Sequence, residues 1–327
     1  MSIIEVKAPG LLTTVQDLGR EGFGPRGVSP SGAADPVALR LGNRLVGNPE
    51  AAAGLEMTLL GGTFVFPDGA IIALTGADLG AELDGASSDG GRVLLWTSAE
   101  VKPGQTLRTG ATRSGARSYL CVAGGIEEKP FLGSASTHLL SGLGGHEGRA
   151  LRKGDVLKIA SANGPGNAPF RKRTSFHKKT IVANALQHLQ PRKVLRVTPG
   201  PQSDLFPNAV QKIFYARAYR VAEESNRMGL RLEGAPLPVY ERGEMITEGV
   251  SLGAVQITPA GLPIILFVEQ QTTGGYPKIA NVISADLSSL GQLRPRDEIR
   301  FEPVDWKSAR ALLLEQETLL ASKHLIV

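Results

Sequence analysis

The chain reads as mainly β, organised as two pseudo-equivalent β-rich halves with a few short helices and a helical C-terminus. Three observations carry this reading. Forty glycines and 21 prolines among 327 residues demand many turns, and many turns imply many short strands. Between the turns lie short runs rich in Val, Ile, Phe and Thr, not long segments of helical period. The third observation is an internal repeat. Shifted by 192 residues, GGTFVFPDGAIIALTGAD (61 to 78) aligns without a gap with GAVQITPAGLPIILFVEQ (253 to 270), placing Pro67 on Pro259 and Gly69 on Gly261.

Taken in order, Ile3 to Lys7 forms a first strand that Pro9-Gly10 ends. The glycine-rich segment LLTTVQDLGREGFGPRGVSPSGAADP is expected to be a long polar loop, anchored by Leu12, Val15, Leu18 and Phe23. Asp35 then stands as an N-cap with Pro36 at the first helical position. Val37, Leu41 and Leu45 share the helix's apolar face, and Gly47 ends it. Thr63 to Phe66 and Ala70 to Leu74, joined by Pro67-Asp68-Gly69, read as a hairpin. Further strands are expected at Val93 to Trp96, Thr106 to Arg108 and Arg117 to Ala123, and LRKGDVLKI (151 to 159) closes the half.

The second half repeats the plan. IIEVKAPG (3 to 10) falls on VLRVTPG (194 to 200), and Leu39-Arg40-Leu41 falls on Leu230-Arg231-Leu232. LRKGDVLKI matches LRPRDEIRF (293 to 301) at a shift of 142, so the first half carries about 50 extra residues before its closing strand. The expected domains are therefore 1–165, a basic Gly/Pro-containing linker at 166–192, and 193–327. Pro263 to Val268 is continuous, apolar and β-prone, as in a strand covered on both faces. Asp305 to Ile326 is helical, with Trp306, Ala309, Leu312, Leu313, Gln316 and Leu320 on or near one face, which packs on the second half or meets a partner.

Composition bounds the function. A chain with 42% hydrophobic and 20% charged residues is that of a globular protein. The N-terminus lacks the basic and apolar regions of a signal peptide, and no run approaches the ~18 apolar residues of a membrane span, so a cytoplasmic protein without membrane partners is expected. A single cysteine, Cys121, fits that compartment and reads as a buried strand residue. Arg171, Lys172, Arg173, Lys178 and Lys179 crowd one segment without interleaved aromatics, which reads as a solvated loop; no nucleic-acid partner is expected. The five histidines show no metal-ligand spacing, so no metal site is expected. There is no GxxxxGK[ST] loop and no GxSxG elbow.

Chemistry is concentrated where the strand ending at Val268 meets Glu269-Gln270-Gln271-Thr272-Thr273-Gly274-Gly275-Tyr276-Pro277-Lys278. Paired glycines let backbone N–H groups approach a ligand, while Gln and Thr side chains orient a carbonyl or a carboxylate. A Gly-Gly turn capped by its own side chains has the same composition. Other polar clusters are Gln16-Asp17-Leu18-Gly19-Arg20, Ser29 to Asp35, Ser225 to Gly229, and Glu248. Asp17, Asp35, Glu248 and Lys278 are the proton-transfer and charge-balancing candidates. Gln16, Arg20, Ser31, Arg227, Gln271, Thr272, Thr273, Gly274, Gly275 and Tyr276 are the substrate-binding candidates. Equivalent points in the two halves suggest one composite cleft.

VQDLGREGFGPRGVSPSGAADPVALRLGNRLVGN, SNRMGLRLEG and EGVSLGAVQITPAGLPIILFVEQQTTGGYPKIANVISADLSSLGQLRP closely resemble the allophanate hydrolase subunit 2 family, also called the KipA or biotin-dependent carboxyltransferase family. That family includes the C component of 5-oxoprolinase. The resemblance covers nearly the whole chain and implies two cyclophilin-like β-barrel halves. It also implies a hetero-oligomer with a subunit 1 protein (KipI-like, the B component of 5-oxoprolinase) and with the A component of 5-oxoprolinase. Gln270 stands where the family pattern has arginine, so no anion contact is assigned to it.

The activity so implied is ATP-dependent hydrolysis of a small cyclic amide, 5-oxoproline opened to glutamate, with ATP bound on another component. In that role Gln271, Thr272 and Thr273 orient the carbonyl and carboxylate, and Lys278 or Arg227 balances charge. The first alternative is the carboxyltransferase component of a biotin-dependent urea or amide carboxylase. Without a Met-Lys pair in the chain, its biotin would come on a separate carrier. The second is a non-catalytic KipA-like regulator that binds a kinase-inhibitor protein.

Overall fold

The computed structural model describes residues 2–85, 91–160, 176–238 and 245–327. The basic triplet Arg171 to Arg173 and residues 166–175 of the expected linker lie outside them. The chain divides into two compact units, Met1–Arg20, Ser31–Leu189 and Ser322–Val327 in the first, Glu21–Pro30 and Gln190–Ala321 in the second.

In the first unit the strands are β1 (Ile3–Ala8), β2 (Leu12–Gln16), β3 (Gly54–Thr58), β4 (Thr63–Phe66), β5 (Ala70–Asp78), β6 (Glu82–Leu83), β7 (Thr97–Val101), β8 (Gln105–Arg108), β9 (Ser114–Val122), β10 (Ile126–Glu127) and β11 (Val156–Ile159). They form two sheets, ordered β10-β11-β1-β4-β8-β6 and β2-β3-β9-β5-β7. Ile4, Phe64 and Leu157 from one sheet and Leu55, Ile72 and Leu120 from the other meet in one apolar core. Helix α1 (Pro36–Val46) packs on β5 and β9. Asp35 caps it by accepting from Ala38 N at 2.9 Å, and Gly47 ends it in the left-handed conformation. Gly42 is what lets the helix lie so close: a Cβ there would sit 2.6 Å from Cys121 Sγ.

Three local expectations are corrected. The long loop contains β2, whose Thr13, Thr14 and Gln16 are polar yet buried. Such a strand escapes a reading based on hydrophobic period. Thr63–Phe66 and Ala70–Leu74 are not a hairpin. β4 pairs with β1 and β8, β5 with β7 and β9, so neither has an edge left for the other. The Pro67-Asp68-Gly69 turn instead carries the chain from one sheet to the other. The strand expected at Val93 to Trp96 begins at Thr97, because Trp96 adopts φ 57° and turns the chain.

In the second unit β12 (Val194–Pro199), β13 (Tyr219–Val221), β14 (Gly229–Glu233), β16 (Ala254–Ile257), β17 (Pro263–Leu266), β19 (Lys278–Val282) and β20 (Glu298–Pro303) close a seven-stranded barrel, and β15 (Glu248–Gly249) pairs with β18 (Thr273–Gly274) as a two-residue ribbon. All barrel pairings are antiparallel except β12 with β20. Leu195, Leu230, Val255, Ile265 and Phe301 are buried in this unit, where Phe301 stacks on Phe214 with ring centroids 4.6 Å apart. Short helices α3 (Asn208–Ala216) and α4 (Leu287–Leu290) precede α5 (Trp306–Ala321) in this unit, whereas α2 (Ala183–His188) belongs to the first. α5 packs on β12 and on the turn at Ser284–Asp286, within the second unit, while Trp306 stays 69% exposed.

The internal repeat has a structural mark in both units. Before β11, Arg152 N donates to Asp155 Oδ2 at 2.7 Å; before β20, Arg294 N donates to Asp297 Oδ2 at 2.9 Å. The same aspartate-closed turn thus opens both closing strands.

Candidate functional site

Period-two alternation on three barrel strands sets up the site. Leu230, Leu232, Val255, Ile257 and Ile265 lie on one face and are buried, and Gly229, Arg231, Gln256, Ile264 and Leu266 alternate with them on the opposite face, where Gly229, Gln256 and Leu266 are buried as well and Arg231 is exposed. The register aligns a row across that face: Arg231 opposite Ile264, Ile264 opposite Gln256, and Gln256 opposite Lys278. Residues opposite one another in antiparallel strands share a face. A cavity of about 220 Å³ opens here, lined by Arg231, Gln256, Ile264 and Leu266, with Asn226, Met228, Gln271 and Tyr276 completing its wall. Its volume is below the ~300–1,000 Å³ of sites for drug-sized ligands, which suits a small molecule.

The stretch from Gln271 to Lys278 folds over this face. Gly274 in β18 lies against Gln256; a Cβ on it would come 2.6 Å from Gln256 Nε2 and 3.1 Å from Gln271 Nε2. Gln256 is 1% exposed, and its Nε2 has no hydrogen-bond partner among the described residues. A buried amide nitrogen left without an acceptor costs about 1–3 kcal/mol.

The β15/β18 ribbon is tied down by charge. Lys278 Nζ, on a residue 2% exposed, meets Glu248 Oε1 at 2.5 Å, and Gln202 Nε2 donates to the same oxygen at 2.7 Å. The Lys278 hydrogen bond first, then that of Gln202, holds the Glu248 carboxyl below its ordinary range. A carboxylate so depressed stabilises the folded state above its unfolded pKa, and that contribution disappears as pH falls through the folded value. Glu248→Gln is therefore expected to lower the melting temperature at about pH 7 and to lower it progressively less as pH falls below the ordinary glutamate range. An equal shift at every pH would show that the ion pair contributes nothing. Thermal melts of both proteins across this range make the comparison.

The remaining expected residues of this unit are placed as follows. Arg227 Nε is bonded to Glu269 Oε1 with both side chains buried, and Glu269 N donates to Arg227 O at 2.8 Å. Gln270 is buried; with its amide turned, its nitrogen donates to Phe267 O at 2.6 Å and its oxygen accepts from Leu252 N at 2.9 Å. Thr272 contributes its carbonyl to Val250 N at 3.1 Å. Thr273 belongs to the ribbon, and Gly275 has ordinary space where a Cβ would stand. Among the described residues Gln271 and Tyr276 are the expected ones that line the cavity.

The first-unit candidates form a separate polar network. Asp17 accepts from Gly19 N at 2.8 Å, Ser134 Oγ at 2.6 Å, Ala135 N at 2.7 Å and Ser136 Oγ at 2.5 Å. Gln16 Nε2 and Ser31 Oγ both donate to Thr137 O, at 3.1 and 2.7 Å, and Arg20 donates to the carbonyls of Phe131 and Ser136. Together these bonds fasten the segment 131–137. Asp35 caps α1, and its N–H donates to Tyr119 Oη, which donates to Glu56 Oε2 at 2.7 Å. Burial, with Glu56 and then Asp35 beside it, pushes the Tyr119 hydroxyl well above its ordinary pKa, so it stays a donor.

Arg231, Gln256, Ser134, Ser136, Tyr119 and Glu56 were not among the sequence candidates. For the first two a signal existed. Leu230 and Leu232 flank Arg231, and Val255 and Ile257 flank Gln256, so strand alternation alone puts both polar side chains on one face.

A closed barrel carrying a small cavity of mixed polar and apolar lining beside a Gly-Gly ribbon characterises the second unit, and comparison with known proteins gives the family of the chain. Residues 26–303 match the family described as carboxyltransferase domain, subdomain A and B, and the chain belongs to it. It is 39% identical over 301 residues to the C component of 5-oxoprolinase from Escherichia coli K12, spanning 91% of this chain and 90% of that protein. With the corresponding 5-oxoprolinase component of Haemophilus influenzae the identity is 35% over 327 residues, covering 100% and 98%. Urea amidolyase of Saccharomyces cerevisiae is 35% identical along 98% of this chain, which corresponds to 18% of that longer protein. The crystal structure of the K. lactis urea amidolyase superposes with a TM-score of 0.85 at 32% identity, covering 99% of this chain and 21% of that one. No helix among the described residues is long and apolar enough to cross a membrane.

Proposed function

We propose that the chain is the C component of an ATP-dependent 5-oxoprolinase, acting in the cytoplasm with the A component and a KipI-like B component to open 5-oxoproline to glutamate. The supporting observation is one of extent. The two relatives named as 5-oxoprolinase components match along 90% and 98% of their own length, whereas the matched urea amidolyase is a far larger protein of which this chain spans 18%. The small cavity with carboxamides and a guanidinium suits a compact polar amide. In the reaction the lactam C–N bond breaks, a water oxygen completes the new carboxylate and the ring nitrogen leaves as an amine. Amide resonance makes that carbonyl a poor electrophile, which is why ATP hydrolysis is coupled to it. This cavity, at about 220 Å³, is too small for a nucleoside triphosphate, and on this reading ATP belongs to another component.

The second reading is a carboxyltransferase component served by a separate biotin carrier, favoured by the family description and by the likeness to the K. lactis urea amidolyase. Substrate-dependent ATP hydrolysis separates the two. The assembled complex is expected to hydrolyse ATP faster with 5-oxoproline and to be indifferent to urea. A complex shown by gel filtration to be assembled, yet unresponsive to 5-oxoproline, would contradict the first reading. Urea-dependent carboxyl transfer from a biotinylated carrier would establish the second.

A further inference from the structure

The geometry points to the outer-face cavity of the second unit as a binding site for a small cyclic amide that carries a carboxylate, with Arg231 holding the carboxylate and Gln256 and Gln271 reading the amide. This inference rests on the functional reading above; Gln271 is a residue the sequence singled out, whereas Arg231 and Gln256 are not. Three observations support it. Arg231 and Gln256 stand in one cross-strand row with Ile264 between them, so cationic and carboxamide groups face the same cavity across an apolar floor. Arg231 has no carboxylate partner among the described residues, whereas the nearby buried arginine, Arg227, is committed to Glu269. Gln256 is 1% exposed with an amide nitrogen that bonds to nothing among the described residues, which leaves a donor for a ligand carbonyl.

The shape of the site matches that ligand class. A five-membered lactam presents a carbonyl and an N–H on one edge, two methylenes, and a carboxylate on the ring carbon beside the nitrogen. A carboxamide is both donor and acceptor, so Gln256 and Gln271 answer the lactam edge. Ile264, Leu266 and Met228 offer apolar surface to the methylenes. A guanidinium is the side chain best matched to a carboxylate, through two parallel hydrogen bonds. Gly274 positions the amide: with no Cβ it allows the ribbon to press on Gln256 Nε2. Urea, lacking both carboxylate and methylenes, leaves Arg231 and the apolar floor unused, so the site discriminates against it.

The test is steady-state kinetics of the assembled complex with Arg231→Met and, separately, Gln271→Leu, using 5-oxoproline and its carboxylate-free analogue 2-pyrrolidinone. Arg231→Met is expected to raise KM for 5-oxoproline by about 10- to 100-fold, the loss of one charge-assisted contact, and to leave any response to 2-pyrrolidinone unchanged. Gln271→Leu is expected to weaken both. An unaltered KM for 5-oxoproline in folded Arg231→Met and Gln271→Leu complexes would overturn the assignment while leaving the functional reading intact. If the unmodified complex forms no glutamate, it is the functional reading that fails. Calorimetric titration of 5-oxoproline into the full chain then decides the site: binding abolished by Arg231→Met upholds it, and binding that is absent or indifferent to the substitution overturns it.

Discussion

Glu269→Ala is expected to destabilise the second unit by about 3–5 kcal/mol, the cost of removing one partner from a buried ion pair. Arg227 and Glu269 are 5% and 2% exposed, so the guanidinium left behind keeps its charge in a place that water does not reach. The pair also lies where the chain passes between strands: Glu269 N bonds to Arg227 O and Phe267 N to Met228 O, continuing the β14–β17 ladder past its ends. Replacing both residues at once, Arg227→Met with Glu269→Leu, is expected to recover most of the loss, because apolar residues of similar volume cost no desolvation. Chemical denaturation of the three variants measures this. Single variants as stable as the original, with turnover alone lost, would show that Arg227 serves substrate and not the fold.

Asp17→Ala is expected to cost the first unit about 3 kcal/mol or more, since each hydrogen bond to a charged group contributes roughly 1.5–3 kcal/mol and the losses are not additive. Four donors converge on this carboxylate, two of them backbone N–H groups, and they come from Gly19 and from Ser134 to Ser136. Asp17→Asn keeps one oxygen acceptor and is expected to lose about half as much. A general acid or base must exchange its proton with substrate, which these bonds oppose. Denaturation midpoints unchanged by Asp17→Ala, together with lost activity, would return Asp17 to the chemistry.

Local signals in the sequence translated well into local structure. Asp35 and Gly47 bound α1 as their chemistry requires, and the 192-residue shift places Thr63 to Phe66 over Val255 to Thr258, where β16 runs from Ala254 to Ile257. What the repeat did not convey was pairing, because strand neighbours depend on which edges other strands have already taken. β4 and β5 lost theirs to β1, β8, β7 and β9. β2 was hidden for a different reason: its buried polar side chains find partners elsewhere in the fold, as Gln16 Nε2 does by donating to Thr137 O at 3.1 Å, 121 positions away in the chain.

The candidate site shows the same division. The abrupt change from apolar strand to QQTTGGYPK located the ribbon and two cavity residues, Gln271 and Tyr276. Titratable residues were harder to interpret, because the partner decides the role. Glu248 is matched by Lys278, Arg227 by Glu269, and Asp17 by a serine-rich segment over one hundred residues distant, none of which spacing reveals. Arg231 and Gln256 were masked by being single polar residues within apolar strands, where a solvated edge position reads identically.

A crystal structure of the chain with 5-oxoproline bound is the most direct measurement. The expected result has the ligand in the outer-face cavity, its carboxylate on the Arg231 guanidinium and its lactam edge on the Gln256 and Gln271 carboxamides. Lys278 should keep its contact with Glu248. Ligand bound elsewhere on the chain with that cavity unchanged would contradict the assignment of the site.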